Sequence, residues 1–276
     1  MNPRQYCAER AAPAGSSLYY AALFHSVPER RALHACFAFL EEIRRDLTSV
    51  TDPTPAVRRL LWWREELEAE RIVTSAHPLV AELRALPGDH AGIIGYLEPG
   101  VVSGLEELAG WRPETNAHWR SHCHGLHAGA WQLAARACTG TAAAGVTDRI
   151  GTIAALAGQL QHVVELAPRI AAGRCPLPGT LLQSHELDAA TGAGLLSNPR
   201  LVAATKEVVS DLHAQMLQCA GPGTDSLQAL PLFCRVLHLI NLSLCRQLLR
   251  QPERLLTDRV TLTPLRKLWI AWRQPH

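Results

Sequence analysis

The feature that most constrains this chain is that apolar residues recur at intervals of three and four from near its start to its end, with no alternating stretch of useful length. A helix completes a turn in about 3.6 residues, whereas a half-buried strand needs a period of two, so the pattern specifies helices throughout. The predicted helices cover residues 17–25, 29–48, 56–71, 78–86, 90–98, 100–109, 114–139, 146–171, 199–220, 227–250 and 264–273. Proline and glycine punctuate them. Pro28 falls where it can start a helix, Asp52-Pro53-Thr54-Pro55 interrupts the pattern, and Leu86-Pro87-Gly88 closes the helix that His77-Pro78 begins. Within 56–71, Leu60, Leu61, Trp63 and Leu67 are expected to point inward, with Arg64, Glu65 and Glu68 outward. The one long connection, 172–198, is rich in Gly, Pro, Ser and Thr and is a lid candidate. Helices on both sides of it carry apolar faces that need each other, so residues 1–276 are expected to form one all-α domain, a helical bundle.

Composition excludes several function classes. With 47% hydrophobic and 19% charged residues the chain can bury a sizeable core. Its 27 basic residues nearly balance its 25 acidic ones, which leaves no electrostatic footprint for nucleic acid. A basic segment followed by an apolar run is missing from the N-terminus, and no stretch of about 18 apolar residues is present, so a cytoplasmic, non-integral protein is expected. Eight cysteines at 7, 36, 123, 138, 175, 219, 234 and 245 form no CxxC pair and sit among apolar residues, the pattern of reduced, buried thiols. Phosphate-binding glycine loops and a Gly-x-Ser-x-Gly elbow are also absent from the sequence.

Two segments carry a resemblance. Residues 17–46 read SLYYAALFHSVPERRALHACFAFLEEIRRD, and residues 158–178 read GQLQHVVELAPRIAAGRCPLP. Both are similar to the signature helices of the squalene/phytoene synthase family. His77-Pro78-Leu79, the turn Gly173-Arg174 with Leu177-Pro178, and Arg259-Val260-Thr261-Leu262 leading to Arg266-Lys267-Leu268 resemble further family segments in the same order. The resemblance implies the isoprenoid synthase type of all-α bundle around a deep apolar cavity. It also implies head-to-head joining of two prenyl diphosphates on magnesium held by paired aspartates.

Those aspartates are largely missing. Residues i and i+4 of a helix project from one face about 6 Å apart, so an Asp-x-x-x-Asp pair on each of two facing helices can hold magnesium against a diphosphate. Aligned on Phe37-Ala38-Phe39, the two aspartate positions of the first motif fall on Arg44 and Thr48; a shifted register makes Glu42 and Asp46 the pair instead. In the second motif only Glu165 remains as an oxygen ligand, and Pro168 removes a helical hydrogen bond beside it. By the same match His122 replaces a tyrosine, His127 an alanine and Trp131 a glycine, all of which border the family's reaction chamber. The vestigial catalytic positions are thus Arg44, Thr48, His122 and Glu165. The resemblance places Phe39, Glu42, Asp46, His127, Trp131, Gln161 and Arg174 around the ligand cavity. An active enzyme would have to build its metal site from Glu42, Asp46 and Glu165. A cation at a former aspartate position needs a partner when buried, so Arg44, or its neighbour Arg45, is expected to pair with Glu165 across the site.

Other side chains have plainer roles. His118 and His122 stand at i, i+4 and His124 and His127 at i, i+3, spacings that suit zinc, but the two pairs lie about 200° apart in helical phase and are read as ordinary imidazoles. Arg30-Arg31 and Arg58-Arg59 read as solvated faces. The C-terminal segment 264–273 sets tryptophans beside cations and suits either a membrane interface or packing on the bundle; Leu265, Leu268 and Trp269 form a narrow stripe that favours packing.

Three functions remain. The chain is a non-catalytic binding or assembly module, like the aspartate-poor branch of the family that includes a mitochondrial complex I assembly factor; or an active magnesium-dependent prenyltransferase; or an isoprenoid or lipid carrier. The first needs no cofactor, the second needs magnesium, and the first and third admit an isoprenoid, lipid or protein partner.

Overall fold

The computed structural model describes residues 2–48, 52–140, 144–220, 227–257 and 260–275. Among them every regular element is helical. Side-chain caps fix several helix starts by accepting otherwise orphaned amide protons: Asn2 from Arg4 before α1 (Pro3–Ala11), Ser16 from Tyr19 before α2 (Ser17–Ala22) and His77 Nδ1 from Leu79 before α6 (Pro78–Arg84). Asp89 likewise caps α7 (His90–Leu108), and Thr115 caps α8 (Asn116–Thr139). The remaining helices are α3 (Val27–Thr48), α4 (Thr54–Glu66), α5 (Ala69–Thr74), α9 (Ala144–Val164), α10 (Leu166–Ala171), α11 (Gly179–Ser184) and α12 (Pro199–Ala220). Next come α13 (Leu232–Arg250), α14 (Arg254–Thr257) and α15 (Pro264–Trp272).

Several boundaries differ from the sequence expectation. Residues 56–71 do not form one helix, because α4 ends at Glu66 and α5 begins at Ala69; Leu60, Trp63 and Leu67 are buried as expected, while Leu61 is half-exposed. The predicted break between 98 and 100 does not occur, since α7 runs straight through Pro99. An interior proline costs a helix about 3 kcal/mol. Here packing overrides that cost: the next turns press Gly100 against the Leu126 carbonyl and Gly104 against Ile43 and Leu60. The predicted helix 146–171 is instead α9 followed by α10, and 227–250 is broken over residues 229–231, with α13 beginning at Leu232 just after Pro231. The connection 172–198 contains α11 and a 3-10 stretch over Ala189–Ser197. Helix α1, before residue 17, was not anticipated.

The centre of the bundle is α8, clasped between α7 and α9. Glycines set how closely these helices approach: a Cβ at Gly129 would overlap the Tyr96 carbonyl of α7, one at Gly125 would meet Ser103, and one at Gly158 of α9 would meet the His127 ring. Helix α13 is long and apolar enough by length and composition to cross a membrane, but it packs against α2, α9 and α12 with most of its length buried, as a core helix does. The C-terminal helix α15 rests on α2 and α13 through Lys267, Ile270 and Ala271. Its stripe faces the other way from the sequence expectation, with Leu265, Leu268 and Trp269 exposed.

Candidate functional site

A cavity of about 890 Å³ opens between α3, α8, α9, α13 and the N-terminal segment. One wall is apolar. Phe37 and Trp131 meet at 5.5 Å between ring centres and both pack on Phe233, while Leu160, Val164, Leu237 and Leu244 continue the surface. The other wall, from α3 and the α9–α10 junction, is charged and carries Glu41, Arg44, Arg45, Gln161 and Glu165.

The charged wall owes its shape to one proline. Pro168 has no amide proton, so the Val164 carbonyl four residues earlier lacks a helical donor, and α9 ends at Val164. Glu165 takes φ −96°, ψ 14° at the junction and turns its carboxylate toward α3. There Arg44 Nη1 donates to Glu165 Oε1 at 2.6 Å, the pair expected from sequence. Arg44 also holds Glu41, with Nε donating at 2.8 Å and Nη2 at 2.7 Å from Oε2. Gln161 donates to Glu165 Oε1 at 3.1 Å, and Arg169 Nε donates to Oε2 at 3.2 Å. Arg169, itself buried, also binds Glu107, beyond which lie His122 Nε2 at 3.4 Å and His162 Nε2 at 3.8 Å. The result is a chain of alternating charge, Glu41–Arg44–Glu165–Arg169–Glu107, running from the cavity into the core.

Protonation follows this lattice. Burial alone would raise the Glu107 carboxyl, yet the Arg169 charge and the hydrogen bond with His122 hold it far below the usual carboxylate range. Burial would lower Arg44, but Glu41 and Glu165 outweigh it and push its guanidinium higher still. His127 is driven down to about 3 by burial, with the Arg169 charge adding to the shift, and burial drives His162 well below its ordinary value. Both are neutral imidazoles in the folded protein. His162 Nδ1 accepts from the Trp119 indole at 3.1 Å, and His122 stacks on Trp111 at 3.7 Å.

The structure separates the residues assigned to the cavity from sequence. Arg44, Thr48, His127, Trp131, Gln161 and Glu165 line it. Phe39, Glu42, Asp46, Arg174 and His122 do not. Phe39 is on the opposite side of α3, edge-on to Trp63 at 5.4 Å. Glu42 accepts from the Tyr6 hydroxyl at 2.7 Å and pairs with Arg10 at 2.5 Å; Asp46 pairs with Arg59 at 2.6 Å. Arg174 follows α10 in the turn, its amide donating to the Arg169 carbonyl at 2.8 Å. Two residues of the wall, Glu41 and Arg10, went unassigned. Glu41 had a local signal, since it precedes Arg44 by three residues on one helix face. The Glu107–Arg169 pair spans 62 residues and had none.

These donors do not fit a magnesium cluster. Magnesium takes six oxygen ligands in near-octahedral geometry, usually through carboxylates open to water and phosphate. Here the guanidinium of Arg44 stands between Glu41 and Glu165 and neutralises both, while Glu42 and Asp46 are turned to partners on other helices. The set Glu42, Asp46 and Glu165 is therefore not assembled. Among the described residues no three His, Cys, Asp or Glu side chains are grouped so as to hold a metal. The α8 histidines diverge accordingly: His118 accepts from Trp111, His122 stacks on it, His124 meets Gly151 and His127 meets Gly158.

The squalene/phytoene synthase family model matches residues 11–266. The chain belongs to that family. Its fold is the all-α isoprenoid synthase fold: a dehydrosqualene synthase solved in complex with a ligand superposes with a TM-score of 0.78 at 12% identity, over 98% of this chain and 94% of that one. The complex of TcSQS with the ligand E5700 gives 0.69 at 14% identity, over 98% and 85% of the two chains. TcSQS with the ligand BPH1237 gives 0.72 at 12% identity, over 98% and 86%. None of the curated proteins matches the sequence. As a family member the chain keeps a prenyltransferase-like frame and a ligand-sized cavity.

Proposed function

We propose that this family member is a non-catalytic binding protein that holds an isoprenoid-like molecule in the cavity between α3, α8, α9 and α13. The observation that carries this reading is the Arg44–Glu165 pair, which joins the two signature segments where the family brings magnesium and diphosphate together. A pocket of about 890 Å³ lies within the range of small-molecule sites, roughly 300–1,000 Å³. Its apolar wall suits a prenyl chain. Arg45, exposed at the edge, offers a cation to a polar or anionic head, while Arg44 engages the carboxylates of Glu41 and Glu165 on the charged wall. The cavity favours a ligand-binding role over a purely protein-assembly one, because a scaffold alone has no need to keep an open interior against close packing.

The test pairs two measurements. With farnesyl diphosphate and magnesium, the purified protein is expected to release no pyrophosphate above a buffer control. Titration with farnesol is expected to quench the Trp131 contribution to fluorescence, and Ala157→Phe, which fills the cavity from α9, is expected to abolish the response. Pyrophosphate release that disappears in Glu165→Gln would overturn the non-catalytic reading in favour of an active prenyltransferase. Farnesol binding that is indifferent to Ala157→Phe would overturn the cavity assignment.

A further inference from the structure

A second pocket, of about 360 Å³, shares no residue with the first. The break between α4 and α5 makes it. Helix α4 stops at Glu66, α5 runs only from Ala69 to Thr74, and the chain then turns through Ser75 to His77, which Pro78 holds extended at φ −67°, ψ 130°. The pocket lies inside this corner, lined by Trp62 and Glu66 from α4, Arg71 from α5 and His77 from the turn. It stands on the far side of α3 from the apolar cavity, since Trp62 meets Trp63 at 4.8 Å between ring centres and Trp63 meets Phe39.

Glu66 is the unusual member of this lining. Its side chain is only 8% exposed. Among the described residues four carboxylates are buried, and three have firm partners: Asp46 holds Arg59, Glu82 holds Arg31 and Glu107 holds Arg169. Glu66 alone keeps a buried oxygen, Oε2, with no hydrogen-bond partner. The cation paired with it is Arg71, whose Nη2 stands 3.4 Å from Oε1, near the long limit of a hydrogen bond, on a side chain 53% exposed. His77 adds no positive charge: its Nδ1 accepts from the Leu79 amide, and burial lowers its pKa, so the ring is neutral. Its imidazole instead meets Trp62 at 5.3 Å and Trp63 at 5.0 Å, completing an aromatic wall. The carbonyl end of α4 adds partial negative charge beside the carboxylate. A buried carboxylate is costly unless a cation and hydrogen bonds satisfy it, and here both are incomplete.

We propose that this pocket binds a small primary amine, whose ammonium donates to the Glu66 carboxylate in place of Arg71 while its alkyl chain lies against Trp62. The orphaned oxygen calls for an N–H donor, which a quaternary ammonium lacks. The buried charge calls for a cation, which an alcohol is not. An indole face beside the carboxylate attracts the same cation. The volume is at the small end of ligand sites, roughly 300–1,000 Å³. Oε2 is closed to solvent, so the half-exposed Arg71 side chain is the cover that swings out as the amine enters. An anion is the poorer occupant, because it would face the buried carboxylate. The assignment is independent of the function proposed for the larger cavity.

Isothermal titration calorimetry with 1,5-diaminopentane tests it, with 1,5-pentanediol as the uncharged control and tetramethylammonium as the control without an N–H donor. The wild-type protein is expected to bind the diamine saturably at millimolar concentration or below, and neither control. Glu66→Gln is expected to weaken that binding about tenfold or more. Arg71→Met removes the competing cation without touching the carboxylate. It is expected to tighten binding about two- to fivefold, the worth of a weak, half-exposed ion pair, and it keeps the test decisive whatever Glu66→Gln does to folding. No saturable binding of the diamine, equal binding of either control, unchanged affinity in Glu66→Gln, or weaker binding in Arg71→Met would each overturn the proposal.

Discussion

Glu165 sits between two guanidinium groups, Arg44 at 2.6 Å and Arg169 at 3.2 Å, so removing its charge should cost more than removing the partly exposed Arg44. At an effective dielectric constant of about 20, unit charges about 4 Å apart attract by roughly 4 kcal/mol before desolvation is subtracted. Breaking a buried pair by deleting one partner costs about 3–5 kcal/mol, because the survivor is stranded. The lattice reduces that figure. In Arg44→Met, Glu165 keeps Arg169 and Gln161, and with the Arg44 side chain 28% exposed the expected loss is about 1–2 kcal/mol. In Glu165→Gln, Arg44 and Arg169 lose the carboxylate that separates them, and the expected loss is about 3 kcal/mol. The double variant should lose about 1–2 kcal/mol less than the sum. Urea unfolding of the four proteins at one pH, repeated at high salt, measures the cycle. Additivity to within about 0.5 kcal/mol, or a larger loss for Arg44→Met than for Glu165→Gln, would refute the description of the site as a self-neutralised charge lattice.

Gly129→Ala would drive a methyl group into the Tyr96 carbonyl, and because backbone must move to accept it, we expect a loss above about 3 kcal/mol in thermal or urea unfolding. Glu107→Gln should cost about 3–5 kcal/mol by stranding buried Arg169, whereas Asp46→Asn, at a carboxyl that burial has pushed up despite Arg59, should cost under about 1 kcal/mol in the same measurement. Because His127 stays neutral in the folded state to a pKa of about 3 but titrates near 6.5 when unfolded, the unfolded chain binds the extra proton between those values. Stability is then full above pH 6.5 and falls on acidification, by about 2–3 kcal/mol from this residue at pH 4.5. His127→Leu should flatten that slope in unfolding curves taken from pH 7 to 4.5.

Helices were legible where periodicity ran uninterrupted, as in α3, α8 and α12, because one apolar face decides such segments. Proline was the weak point, and it misled in both directions. Pro99 reads as a break and is not one, because Gly100 and Gly104 let neighbouring helices close on α7 over the turns just after it. Pro168 was read as a local defect, and it ends α9. Of the site, the Arg44–Glu165 pair was readable from motif positions on two helices known to face each other in the family. The placement of Glu42 and Asp46 was not, because their directions depend on Tyr6, Arg10 and Arg59, partners on helices whose approach no local pattern encodes. The α15 stripe was recognised but turned the wrong way: a narrow apolar face looks the same in sequence whether it meets protein or is left open.

The break after Val164 also bears on how this chain could change. Aspartates in place of Arg44 and Thr48 would stand one turn apart on an intact helix, facing a second segment whose helix breaks at Glu165. Gln161, Glu165 and Arg169 still meet one another at intervals of four across the break, so an acidic residue added there would join a wall whose one carboxylate Arg44 and Arg169 already hold. Replacing Arg44 for such a pair would release both Glu41 and Glu165 from the lattice, so stability is lost before a metal ligand is gained.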